Sequence, residues 1–247
     1  MALFYKNMLK FKLNIYIKYL FQRSIVKILC NSEYHIASSA NLSNVEIFVA
    51  SGARLYIGKN AKISNTNICV EKGECVIGDN CIIGTNSGHP TNIIINNGSM
   101  ILGDHSKLAL SRIWIRYGGK CQIGTYTNIN EESEIRCDES ILIGSYNQIS
   151  YGVRIWDTNT HSILKKDERR EMTRRYFPYF GYEKSRPKTS QIIIGDDCWI
   201  GEKASILKGT KIGNEVICGY NCLLSGQEIP DNCQVVSKVD LDVRSRI

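Results

Sequence analysis

From Ile194 onward the hydrophobic positions recur every six residues, a spacing that neither a helix nor a two-sided strand produces. The chain reads IGDDCW-IGEKAS-ILKGTK-IGNEVI-CGYNCL-L, with Ile194, Ile200, Ile206, Ile212, Cys218 and Leu224 in one phase. A helix would space its apolar residues three and four apart, and an exposed strand would alternate without interruption. The fifth residue of each unit is small or β-branched (Cys198, Ala204, Thr210, Val216, Cys222), and glycine follows the aliphatic residue at Gly195, Gly201, Gly213 and Gly219. Short strands joined by tight turns satisfy all of this, with glycine relieving the backbone where the chain bends. Three such sides make one coil of about 18 residues, and coils stack at strand spacing, roughly 4.8 Å.

The same phase appears upstream at Ile57-Gly58, Ile77-Gly78, Leu102-Gly103, Ile123-Gly124 and Ile143-Gly144, with slips between. The register of Ile143, Ile149 and Ile155 reaches its next position at His161, but Ile194 lies 33 residues beyond, not a multiple of six. Residues 162–190 therefore leave the coil as a long loop rich in basic and aromatic residues (RRYFPYFGYEKSRP), the kind of segment that in a compact domain serves a function. Residues 1–30 pattern differently. Phe4, Met8, Phe11, Ile15, Val26 and Leu29 gather on one side of a helical wheel, opposite Lys6, Lys10, Lys12, Arg23 and Lys27, with Lys18 the exception. This predicts an amphipathic helical segment over 1–35, then a coil body over 36–238 carrying the loop, then a tail at 239–247. The helix would cap the open end of the coil or rest on an anionic membrane surface.

Composition narrows the class. With 247 residues, 43% hydrophobic and 22% charged, the chain is globular. Six lysines and arginines interrupt residues 1–30, so no membrane-spanning helix or signal peptide is expected there, and the expected location is cytoplasmic, with the inner membrane face open to the amphipathic segment. The net charge of +7 is concentrated in two segments: residues 1–30 carry six basic and no acidic side chains, and 162–190 carry nine basic and four acidic. Such local potential attracts anions: coenzyme A phosphates, an acidic glycan or anionic lipid. No nucleic-acid motif accompanies it. The ten cysteines form no C-x-x-C pair and several share the six-residue phase, so they are expected as free core thiols in a reducing compartment.

At this point the residues carry a resemblance. The run IGDDCWIGEKASILKGTKIG resembles the signature of left-handed β-helix acyltransferases, which include galactoside, maltose and serine acetyltransferases and bacterial polysaccharide O-acetyltransferases. The likeness covers about residues 120–235 and is nearest to capsule and O-antigen enzymes, where a D-x-D-x-H-like element precedes the final coils. Here that element is WDTNTHSI, with Asn159 in place of the second aspartate. The resemblance implies an all-β fold, a left-handed parallel β-helix of hexapeptide repeats, with the N-terminal amphipathic helix and extruded loop added to it. It further implies a homotrimer with active sites between subunits, and acetyl transfer from acetyl-CoA to a sugar hydroxyl of a surface glycan or its precursor.

Such transfer needs a base near neutral pKa, because an alcohol is a poor nucleophile, and imidazole suits the task. His161 matches the family's catalytic histidine; His35, His89 and His105 lack its context and are read as structural, with no metal set among them. Asp157 is a candidate to hold the imidazole in its useful tautomer, a turn-capping aspartate being the alternative. By resemblance Trp199, Asn130 and Asn159 line the acyl or acceptor site. An amide at Gly201 or Glu202 would polarise the thioester carbonyl. Ala204, Lys208, Gly219 and Tyr220 match coenzyme A positions. The chain then departs from its relatives: the usual lysine falls on Gly226 and the late G-x-P-A-K element becomes SKVDLDV, leaving Lys238, or Arg244 and Arg246, for the phosphates. Competing readings are an N-acyltransferase acting on an amino-sugar nucleotide and a structural β-helix scaffold without activity.

Overall fold

The computed structural model describes residues 13–15, 23–85, 88–178 and 186–238. Those residues form an all-β parallel solenoid of about ten turns, three-sided as the six-residue phase predicts and matching the left-handed form that the resemblance implies, with one short helix. Strands pair in parallel one coil apart, so a backbone amide finds its acceptor in the neighbouring coil and not in its own turn. The three faces carry inward ladders. Leu42, Ile63, Ile83, Leu108, Ile129, Ile149, Ile200 and Cys218 line the first. Ile47, Ile68, Ile93, Ile113, Ile135, Ile155, Ile206 and Leu224 line the second. Ile57, Ile77, Leu102, Ile123, Ile143, Ile194 and Ile212 line the third. Removing each such side chain from water stabilises the coil by about 1.5–3 kcal/mol.

Coil length departs from expectation in a way that matters for the site. Ile57, Ile77, Leu102, Ile123 and Ile143 succeed one another at 20, 25, 21 and 20 residues, whereas Ile194 and Ile212 are 18 apart. The upstream coils carry an extra inward residue on each side of the corner between faces two and three: Val49 and Leu55, Val70 and Cys75, Ile95 and Met100, Ile115 and Cys121, Cys137 and Ile141, all buried. The solenoid is therefore wide upstream and narrows to the strict hexapeptide form near its C-terminal end. At the corner after face three glycine is required in the inner coils: a Cβ on Gly124 would lie 2.6 Å from the Gly144 backbone, and one on Gly195 would lie 2.6 Å from the Gly213 carbonyl oxygen.

The N-terminal expectation is corrected. Ile25–Leu29 is a strand, with Val26 and Ile28 buried and their neighbours facing outward, and Glu33–Ile36 opens the third face. The coil thus begins near residue 25, not 36. The reason is elementary: a five-residue strand offers too few positions for a period of two to outweigh a period of 3.6. Strand Leu13–Ile15 runs antiparallel along Ile25–Leu29, so pairing covers the edge that a helix was expected to cap. Phe4, Met8 and Phe11 lie outside the described residues. No helix among the described residues is long and apolar enough to cross a membrane.

All ten cysteines are free thiols, and Cys75, Cys81, Cys121, Cys137, Cys198, Cys218 and Cys222 are buried. Burial pushes the Cys69 thiol up to about 11 and those of Cys75, Cys121 and Cys218 to about 12. Since only thiolate reacts, brief alkylation of the folded protein at pH 8 is expected to modify exposed Cys30 and spare the buried seven. Peptide mass mapping checks this, and rapid labelling of Cys75 or Cys121 before unfolding would contradict the packing described.

Candidate active site

The site begins where the solenoid narrows. Cys137 ends the column of extra inward residues on face two, and Asp157 occupies the same place one coil later, in register and fully buried. Upstream, the amides of this corner bond to the coil that follows, as Arg116 N–H does to Cys137 O at 3.0 Å and Lys120 N–H to Glu139 O at 3.0 Å. At the step no wide coil follows. The Asp157 carboxylate takes over as acceptor: Asp138 N–H donates to Oδ1, and Glu139 and Ser140 N–H donate to Oδ2, each at 2.8 Å. Burial outweighs these three amides and pushes the Asp157 carboxyl above its ordinary value. The carboxylate is thus committed to the turn at 138–140. The orienting role expected of Asp157 toward the imidazole gives way to the capping alternative.

The insertion leaves through a narrow neck directly after Asp157. Thr158 and Thr189 form an antiparallel bridge, Asn159 N–H donates to Lys188 O at 3.0 Å, and Ser190 N–H donates to Asp157 O at 2.9 Å. Thr160 follows with φ at +64°, and His161, exposed, donates its amide to Asn159 O at 2.7 Å. Asn159 is half-buried and serves the neck through its backbone. The segment expected as a loop contains a helix, Lys166–Tyr176, none of whose residues is buried. Asp167 and Glu168 in its first turn and Arg174 and Arg175 in its last complement the helix dipole, a charge order legible in KDERREMTRRY.

The remaining predicted residues lie elsewhere on the triangle. Trp199 points outward from face one, 57% exposed, and not inward at a corner. Ile217, 40% exposed, is its neighbour in the next coil, and Gln148 in the preceding one. Asn130 shares that face two coils upstream, its Oδ1 accepting from Asn128 Nδ2 at 3.2 Å. Gly201, Glu202, Ala204, Gly219, Tyr220 and Lys238 fall at or beside the corner between faces one and two. Two of these cannot act as expected. The Gly201 amide is spent on Cys218 O at 2.7 Å, and Ala204 is a fully buried core residue whose N–H donates to Gly201 O and whose carbonyl accepts from Arg154. The Glu202 amide has no partner among the described residues. Gly219 is half-buried with its amide bonded to Val235 O, while Tyr220 is 61% exposed. Lys203, which the sequence reading passed over, reaches Tyr220 Oη and Glu202 Oε1, both at 3.3 Å, and the Tyr220 hydrogen bond with the Glu202 charge raises its pKa. Lys208 sits apart from this group, at the same corner as His161 and one coil beyond. Arg244 and Arg246 lie outside the described residues.

The predicted residues therefore form two groups within one chain. His161, Asp157, Asn159 and Lys208 occupy the corner between faces two and three. Trp199, Asn130 and the exposed strip through Ile217 and Tyr220 occupy face one and its far corner, across the triangle. His35 and His105 belong to neither: they stack on Tyr56 and Tyr126, with centroids 4.9 and 4.7 Å apart, as structural histidines do.

Comparison with known proteins fits this architecture. The hexapeptide repeat of succinyl-transferase, as a family description, matches residues 75–109 and 191–225. The putative lipopolysaccharide biosynthesis O-acetyl transferase WbbJ of Escherichia coli K12 is 29% identical over 140 residues, covering 56% of this chain and 68% of that protein. The bifunctional protein GlmU of Listeria monocytogenes is 24% identical over 223 residues, or 85% of this chain but 44% of GlmU, so the chain spans less than half of that relative. The crystal structure of the polysialic acid O-acetyltransferase OatWY superposes with a TM-score of 0.52 at 19% identity, over 86% of this chain and 91% of that one, a likeness of fold. Two stretches of the chain thus carry the hexapeptide repeat, and over part of its length the chain is similar to O-acetyl transferases built on that repeat.

Proposed function

We propose that the chain is an acetyl-CoA-dependent O-acetyltransferase acting on a sugar hydroxyl of a bacterial surface glycan or its precursor, with His161 as general base and the active site shared between copies in a homotrimer. The observation that carries the reading is the separation of the two residue groups. A catalytic histidine on one corner and an exposed apolar strip on the opposite face meet only when the corner of one copy approaches face one of the next. WbbJ, named for an O-acetyl transferase of lipopolysaccharide biosynthesis, supports the acceptor class.

In this reading Trp199, Ile217 and Tyr220 offer the pantetheine arm an apolar surface, with Lys203, Lys238 and Lys208 as cations for phosphate. His161 takes the proton of the acceptor hydroxyl as its oxygen attacks the thioester carbon; the C–S bond breaks and the imidazolium returns the proton to the departing thiolate. The Glu202 amide is the candidate donor to the oxygen that becomes negative. The basic helix Lys166–Tyr176, attached at the same corner as His161, favours an acidic glycan.

Incubating the full chain with acetyl-CoA and separate pools of neutral oligosaccharides, acidic oligosaccharides and amino-sugar nucleotides tests this. The expected result is thiol release with an acetyl mass increment on an oligosaccharide, lost on mild alkali as an ester. An alkali-stable product on an amino sugar would replace the reading by N-acylation, and no thiol release with any pool would leave the scaffold reading in its place.

A further inference from the structure

One cluster at the step has no part in the chemistry above yet touches the segment that carries it. Asp138 is fully buried, and Arg116 grips its carboxylate with both arms, Nε to Oδ1 at 2.9 Å and Nη2 to Oδ2 at 2.7 Å. The same Oδ2 accepts the hydroxyl of Thr158 at 2.7 Å. A hydroxyl has one proton, so its donation to Asp138 leaves the Thr158 oxygen an acceptor only, and Thr160 N–H donates to it at 3.1 Å. Thr160 is the residue held at a φ of +64°. That region is unfavourable for a β-branched side chain, and such strain persists only where surrounding structure fixes it. His161 is the next residue.

We propose that Arg116, Asp138 and Thr158 form a positioning relay that sets the direction in which His161 leaves the coil. Arg116 fixes the Asp138 carboxylate in place; Asp138 fixes the rotor of the Thr158 hydroxyl; that hydroxyl holds the strained Thr160 amide; and Thr160 aims His161. The relay rests on His161 being the base. It differs from Asp157, which holds the coil beneath, because its last hydrogen bond reaches into the turn itself.

Thr158→Val keeps shape and removes the hydroxyl, Thr158→Ser restores it, and Thr160→Gly removes the strain without touching the relay. A misplacement of the base near 1 Å is enough to cost about 100-fold, so Thr158→Val and Thr160→Gly are each expected to lower kcat by about 10- to 100-fold with KM for acetyl-CoA unchanged. Thr158→Ser should recover most of the loss. Thr160→Gly should melt no lower than the parent, since glycine adopts positive φ freely, which separates loss of aim from loss of fold even where Thr158→Val is poorly folded. Added to His161→Ala, either change should have no further effect, because residues acting through one group are not additive. Unchanged kcat in Thr160→Gly and in folded Thr158→Val, while His161→Ala is inactive, overturns the relay alone. A fully active His161→Ala overturns the assignment of the base, and the relay with it.

Discussion

Replacing His161 with alanine is expected to lower kcat for acetyl transfer by about 10²–10⁴-fold, the usual yield of a positioned general base. The side chain is exposed and lies outside the core, so neither the melting temperature nor the affinity for coenzyme A should change appreciably. That combination makes the variant diagnostic. A substitution that damaged the coil would move stability and activity together, whereas one that removed only the proton acceptor moves kcat alone. Asp157→Asn should behave in the opposite way: the amide's nitrogen would face backbone N–H donors at 138–140, so stability falls and activity follows it. Steady-state kinetics beside thermal melting separates the two. A His161→Ala protein that keeps full turnover would remove imidazole from the mechanism.

The second large effect is recovery. His161→Ala and Trp199→Ala strike opposite sides of the triangle, and each alone should be nearly inactive if a working site takes its histidine from one copy and its tryptophan from the next. Unfolding the two variants together and refolding the mixture randomises the copies. In a cyclic trimer every interface pairs two different surfaces, so about a quarter of the interfaces combine an intact His161 with an intact Trp199, and activity should return to about that fraction of the parent. Mixing without refolding, or refolding each variant alone, should return nothing. If refolded mixtures stay inactive while each variant is folded and assembled, the two residues do not share a site across an interface.

Much of this was readable in the chain, for identifiable reasons. From Ile194 to Leu224 each side holds one inward residue, so the phase is strict, glycine follows the aliphatic residue at four of the turns, and the fold follows from spacing alone. Upstream the second inward residue per side, such as Val49 with Leu55 or Ile115 with Cys121, destroys the six-residue phase without disturbing the stacking. A reader of periodicity sees slips where the molecule has a wider coil. His161 stood out in the sequence because the register of Ile143, Ile149 and Ile155 reaches it, whereas in the molecule the chain leaves the coil at Asp157 and His161 lies in the neck of the insertion. Arg116, Asp138 and Thr158 did not, since their meeting depends on corners two coils apart, and no local pattern encodes it. Asp157 misled for a related reason: four residues before a histidine it resembles a catalytic partner, and only its place in the column above Cys137 shows it to be a cap. The helix Lys166–Tyr176 could have been found from its acidic start and basic end.

The neck of the insertion has a last consequence. Pairing across it jumps from Trp156 to Leu207 and from Ile143 to Ile194, 51 positions each, yet those strands lie side by side as though nothing intervened. Thr158 and Thr189 close the gap, so whatever lies between them hangs from a fixed hinge point. Beyond His161 the insertion is in effect a cassette: its length and composition can be rewritten, or exchanged for another protein's, while the neck that holds His161 and the rungs that carry the apolar strip keep their places. A scaffold built this way can change the molecules it serves without learning to fold again.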